Sequence, residues 1–263
     1  PETWPELKDL IMKICALPDK DGAKIYGAAL RTSQNPNSAQ WSIPILFGHG
    51  GDIQEGGKIK LNTPENAAAY KWLQDITNAG CSAVGHGHAE SRNTFSAGRA
   101  GVIFEGPWGR GLVENMSGKK LKVSADGNVW VAPMPKAPNG KRRTIGNPHE
   151  ITISSKSKNK KLTAAFLDML IFDEDNTKMY FDVNGQLPTS SMPLLKKGAV
   201  GSDAYSQIFI GSLGYTHDNP WKSPKFNAVM SKLAPEMQKI VKGGDIPSAL
   251  AAADKSIKRL LSR

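Results

Sequence analysis

The stretch Asn93–Arg110, NTFSAGRAGVIFEGPWGR, decides how the chain is read. Its first part is an apolar-anchored segment that stops at Gly98. A short run with the character of a buried strand follows, Ala100-Gly101-Val102-Ile103-Phe104. The turn Gly106-Pro107 then throws out one large aromatic, Trp108, where a new helix should begin. A strand that ends at a turn and a helix N-terminus is where α/β proteins place ligands, because free backbone N–H groups and a defined side chain meet there. Spacing alone favours the plainer reading, in which Trp108 is an ordinary core aromatic.

Working outward, the chain punctuates itself clearly. Thr3-Trp4-Pro5-Glu6 has the form of a capping box, and Leu7, Leu10, Ile11 and Ile14 recur at helical spacing up to about Ala16. Ala23–Leu30 reads as a buried strand, Arg31–Gln40 as a polar loop, and Ile43–Phe47 as an apolar segment that stops at Gly48. Gln54–Leu61 reads as a surface hairpin. Thr63-Pro64-Glu65 starts a helix that Gly80 ends. Asn128–Ala132 and Gly146–Ser154 read as strands, and Pro133–Gly140 as a Pro-rich connection. Lys158–Phe172 is an amphipathic helix with Leu162, Ala165, Phe166, Met169 and Leu170 on one face. A further helix ends near Asn184-Gly185, Gln186–Thr189 reads as an extended crossing segment, and the remainder is helical except for the polar-aromatic loop Tyr215–Trp221.

Bulk properties narrow the function classes. The chain has 263 residues, 39% hydrophobic and 22% charged, an ordinary globular composition. No apolar run approaches the roughly 20 residues of a membrane span, and PETWPELKDL lacks the basic start and apolar core of a signal peptide. The net charge of +10 raises a polyanion or nucleic acid as an alternative partner. Its lysines are scattered, however, and no nucleic-acid motif accompanies them, so the expectation is no nucleic acid. The two cysteines, Cys15 and Cys81, permit one bridge or two buried thiols, and the sequence leaves both open.

A catalytic set is missing. There is no G-x-S-x-G, H-E-x-x-H or Walker loop, and no G-x-G-x-x-G after a strand. The five histidines are too dispersed to argue a metal site, and no cofactor is expected. What recurs is a loop at a strand end carrying an aromatic beside amide, hydroxyl or guanidinium groups: Arg31–Trp41, Gly106–Arg110, Gly146–Glu150 and Tyr215–Trp221. A flat ring covers the C–H face of a sugar, and neighbouring polar groups satisfy its hydroxyls. Four such loops without a catalytic set favour binding over catalysis.

The order of these motifs resembles the extracellular solute-binding proteins of carbohydrate ABC importers, the maltose-binding-protein-like family. The resemblance is carried by PETWPEL (1–7), Trp41 through Gly50-Gly51, NTPENAAAYKWLQDI (62–76), FSAGRAGVIFEGPW (95–108), VWVAPMP (129–135), ISSKSKNKKLTAAFLDML (153–170) and NGQLPT (184–189). It implies an α/β, periplasmic-binding-protein-like two-lobe fold with a hinge, closing on a sugar or sugar derivative that is delivered to membrane permease subunits. It also implies a periplasmic or extracellular location. Trp108 inherits a sugar-stacking role. Gly106 beside it, Trp41 with Arg31 and Asn35 of its polar loop, Asn147 and His149 of the Gly-containing turn, and, more loosely, Trp221 are the other ligand-binding expectations.

The family's P-T-W helix normally follows a complete first stretch of the N-terminal lobe, whereas here it begins at residue 3. By the family's layout 1–131 and 190–263 build the second lobe, complete, and 132–189 is the returning part of the first. The apolar helix Lys158–Phe172 would then lack its sheet, and a second polypeptide is expected to supply the missing part.

Overall fold

The computed structural model describes residues 1–19, 21–146, 151–187, 198–217 and 224–262. Packing divides the chain into two units. Unit 1 comprises Pro1–Phe104, Met134–Gly146 and Tyr215–Arg263, and unit 2 comprises Glu105–Pro133 and Asn147–Gly214. These limits are drawn at different points from the three segments expected above.

Unit 1 begins with α1 (Trp4–Cys15). Thr3 caps it, its hydroxyl accepting from Glu6 N–H, while the Glu6 carboxylate accepts from the backbone N–H of Glu2 at 2.8 Å. The helix lies against β1 (Tyr26–Ala28), which pairs in parallel with β4 (Ala100–Val102), Tyr26 opposite Ala100 and Ala28 opposite Val102. A parallel pair needs a long crossover. Here it contains α2 (Pro36–Gly48), the hairpin β2 (Gln54–Glu55) and β3 (Lys58–Ile59), α3 (Pro64–Asn78) and α4 (His88–Ser96). A second parallel pair joins β5 (Thr144–Ile145) to β6 (Thr216–His217). The long helices α10 (Phe226–Val241) and α11 (Ile246–Leu261) complete the unit.

One apolar core runs through it. Trp4, Leu7 and Ile11 of α1 meet Tyr70, Trp72, Leu73 and Ile76 of α3, Ile43, Leu46 and Phe47 of α2, and Met230, Leu233 and Met237 of α10. Polar ties pin these helices at their edges. Trp72 donates its indole N–H to the Trp4 carbonyl at 3.1 Å, and the Gln74 amide donates to the carbonyls of Ile240 and Gly244, both at 2.8 Å. Cys15, at the end of α1, is joined to Cys81 by a disulfide, their Cα atoms 5.2 Å apart. Of the two possibilities that the sequence left open, the structure takes the bridge.

Unit 2 contains α5 (Gly109–Met116), α6 (Lys160–Phe172), α7 (Glu174–Asn184), α8 (Gly198–Ser202) and α9 (Ala204–Ser212). Phe181, Val200 and Ile210 form its small buried cluster. None of the residues of α6 is buried; Leu162 is 72% and Phe166 53% exposed, and Met169, Leu170 and Phe172 are exposed beside them.

Three local expectations are corrected. Pro36–Gly48 is a helix, where a polar loop and an apolar segment were expected; Asn35 caps it and Pro36 opens it, the same device as Thr63-Pro64 at α3. The strand expected at Asn128–Ala132 does not form. Val129 makes a single bridge to Val123, and Trp130 stands 78% exposed. Ile151–Ser154 is not a strand either, while the part of that expectation falling on 147–150 lies outside the described residues.

Candidate functional site

Two groups of expected site residues are described, one in each unit. In unit 1, the extended backbone after β1 carries Arg31 to the start of α2. The segment is held there by a facing loop. Thr32 and Ser33 N–H both donate to the His86 carbonyl, at 2.8 and 3.0 Å, and Thr32 Oγ1 donates to the Ala83 carbonyl and accepts from Gly85 N–H. The Glu90 carboxylate in turn accepts from Gly87 N–H at 2.9 Å. Asn35 is occupied with local structure: its Oδ1 accepts from Ser38 N–H at 2.8 Å and its Nδ2 donates to Ser33 Oγ at 2.6 Å. Those bonds satisfy a first-turn donor of α2.

Trp41 sits one turn into α2, half-buried. The guanidinium of Arg31, only 7% exposed, lies 3.8 Å from the centre of its ring. A planar cation stacked on an indole is held by the ring quadrupole and by its own flat contact. The pair, with Leu30, Ser42, Ile45 and Phe104, lines a small hollow. The wall is apolar with one cation and one hydroxyl, a small-ligand composition. One face of Trp41 is covered by Arg31, so a ligand ring would have to use the other.

In unit 2, Glu105–Arg110 forms the turn into α5. Trp108 is the residue immediately before α5 and is half-buried. Its indole N–H donates to the Glu105 carboxylate at 2.8 Å. Gly106 lies directly beneath the ring: a Cβ placed there would come within 2.3 Å of the indole. Gly106 therefore seats Trp108, and any side chain at 106 would push the ring away. Sequence reading missed Glu105, although a carboxylate three residues before the tryptophan was the signal. Asn147, His149 and Trp221 lie outside the described residues.

No group of three or more His, Cys, Asp or Glu among the described residues is arranged to hold a metal ion. No helix among them is long and apolar enough to cross a membrane.

The model of the bacterial extracellular solute-binding protein family matches residues 1–177, two-thirds of the chain. This chain belongs to that family. Among solved structures, a solute-binding protein of an ABC transporter from Thermotoga lettingae, bound with α-D-tagatose, superposes with a TM-score of 0.80 at 21% identity, covering 99% of this chain and 65% of its own. The GacH receptor of Streptomyces glaucescens, solved unliganded and with acarbose, also gives 0.80 at 21% identity, covering 100% and 64%. The "Probable ABC transporter-binding protein" of Deinococcus radiodurans is 26% identical over 170 residues, 62% of this chain and 39% of that one. The fold is thus the α/β fold of periplasmic binding proteins. This solute-binding chain spans about two-fifths of the length of its Deinococcus relative and about two-thirds of the two structures. Its family is extracellular, a setting in which disulfides such as Cys15–Cys81 persist.

Proposed function

We propose that this chain is the substrate-binding component of an ABC importer, that its solute is a sugar or sugar derivative, and that it hands that solute to membrane permease subunits. The observation that carries the reading is Trp108: a half-buried indole at a helix start, its N–H already engaged by Glu105 and its ring seated on Gly106. A ring so held offers its flat surface to a ligand, and flat aromatic surface is what the C–H face of a sugar packs against. The hollow beside Arg31 and Trp41 is a second, separate contact surface in the other unit. Tagatose and acarbose in the structural relatives support a sugar. Nothing in the relatives' names supports a second polypeptide, and the reading stands without one. The absence of a catalytic motif in the sequence favours binding alone.

The test is calorimetry with D-tagatose, maltose and acarbose on the wild-type chain and on Trp108→Ala. Losing a stacking partner costs on the order of 1–3 kcal/mol, so affinity should fall by roughly 5- to 150-fold, with the melting temperature little changed. Wild-type affinity in Trp108→Ala, for a sugar that the unaltered chain binds, would return Trp108 to an ordinary packing role.

A further inference from the structure

We infer that Tyr205 is a positioning residue for Trp108, clamping the Gly106–Trp108 turn from the far side with the Arg110–Asp203 pair behind it. The inference rests on the reading of Trp108 as a solute-stacking ring and adds what holds that ring in place.

Within this turn Pro107 fixes its own φ but has no N–H to donate, and Gly106 allows a wide range of backbone angles. Internally the turn is closed by Gly109 N–H to the Gly106 carbonyl, at 2.9 Å. The remaining restraint comes from α9, almost a hundred residues later in the chain. The Tyr205 hydroxyl lies 3.1 Å from the Pro107 carbonyl and 3.3 Å from that of Gly106, and donates its one proton between them. The same oxygen accepts from the Arg110 backbone N–H at 3.1 Å, one of the first-turn donors of α5 that have no partner inside the helix. One hydroxyl thus grips the backbone on both sides of Trp108.

Tyr205 is itself fixed. Its ring is 6% exposed, and the Arg110 guanidinium lies 4.2 Å from the ring centre. Arg110 Nη2 donates to both carboxylate oxygens of Asp203, at 2.8 and 2.7 Å, and Asp203 caps α9 by accepting from Ser206 N–H. The contacts close on themselves: turn, Arg110, Asp203, α9, Tyr205, turn. Burial also raises the Tyr205 hydroxyl pKa, so the group stays a donor across working pH.

The experiment labels the whole chain with 5-fluorotryptophan and reads its six indoles by ¹⁹F NMR, with the Trp108 resonance assigned from Trp108→Phe. Tyr205→Phe keeps the ring and removes only the hydroxyl. The Trp108 resonance should shift or split while those of Trp4 and Trp72 stay in place. Affinity for whichever of D-tagatose, maltose and acarbose binds should drop by about tenfold, the value of a buried hydrogen bond. Asp203→Asn, which keeps a capping oxygen, should move the same resonance by less. A Trp108 resonance unmoved by both variants overturns the clamp, and so does a moved resonance with unchanged affinity where Trp108→Ala loses it. Wild-type affinity in Trp108→Ala would instead sink the stacking reading, and the ligand-free resonance would still decide the clamp.

Discussion

Reducing the Cys15–Cys81 bridge should lower the stability of unit 1 substantially. The two cysteines are 66 residues apart in sequence. In the chain-entropy account a cross-link closing a loop of that size removes about 4 kcal/mol of conformational freedom from the unfolded chain. The native side loses little, since Cys81 is buried beside β1 and its carbonyl stays bonded to Ala28 N–H whatever the sulfur's state. For domains of 150–250 residues each kcal/mol moves the melting temperature by roughly 2–4 °C, so the expected fall is on the order of 8–16 °C. The assay is differential scanning calorimetry of the oxidised chain, the chain in reductant, and Cys15→Ala/Cys81→Ala. Reductant and double substitution should converge, and reductant should do nothing further to the double variant. Two titratable thiols in the untreated native chain, or equal melting temperatures with and without reductant, would refute the reasoning.

Two further outcomes follow from single sites. His49 packs against the rings of Trp4 and Trp72, and burial lowers its pKa below 6.5 although its bond to the Ile45 carbonyl pulls the other way. The unfolded chain therefore binds the His49 proton first, so stability falls as pH drops through 6.5, and the melting temperature should fall more between about pH 7 and pH 5 for the wild type than for His49→Gln. The bare face of α6 should bind a hydrophobic dye: Leu162→Lys with Phe166→Lys should cut that signal while shifting stability by no more than about 0.5 kcal/mol per site, whereas a large loss of stability would mean that the face is covered.

The parts of this fold that were legible in the sequence are those decided within a few residues. Thr63-Pro64 and Gly80 bracket α3 because a cap, a preset φ and a left-handed stop each act locally. Asn35-Pro36 sent the same message at α2, but the density of polar residues from Arg31 to Gln40 reads as loop when the cap is overlooked. Strands were harder. The Val129-Trp130-Val131 run has strand character, yet a strand exists only if a partner ladder meets it, and the pairing described here is a single bridge from Val129 to Val123. At the candidate site, Trp108 stands at the turn that Gly106-Pro107 signals, whereas Trp41 lies inside α2 and not in a loop. That Arg31 would cover one face of Trp41, that Gly106 would seat Trp108, and that Asn35 would spend its amide on a helix start are matters of orientation, which spacing does not carry.

The bond from the Gln74 amide to the Ile240 carbonyl joins residues 166 positions apart. Helices α2 and α3 bury part of their apolar faces against α10, so the core of unit 1 cannot be completed until the late half has been made. At roughly 5–20 residues per second, translation leaves those faces exposed for on the order of ten seconds or more. In a family that works outside the cell such a delay suits export, because a polypeptide that cannot finish its core early stays open to being threaded across a membrane.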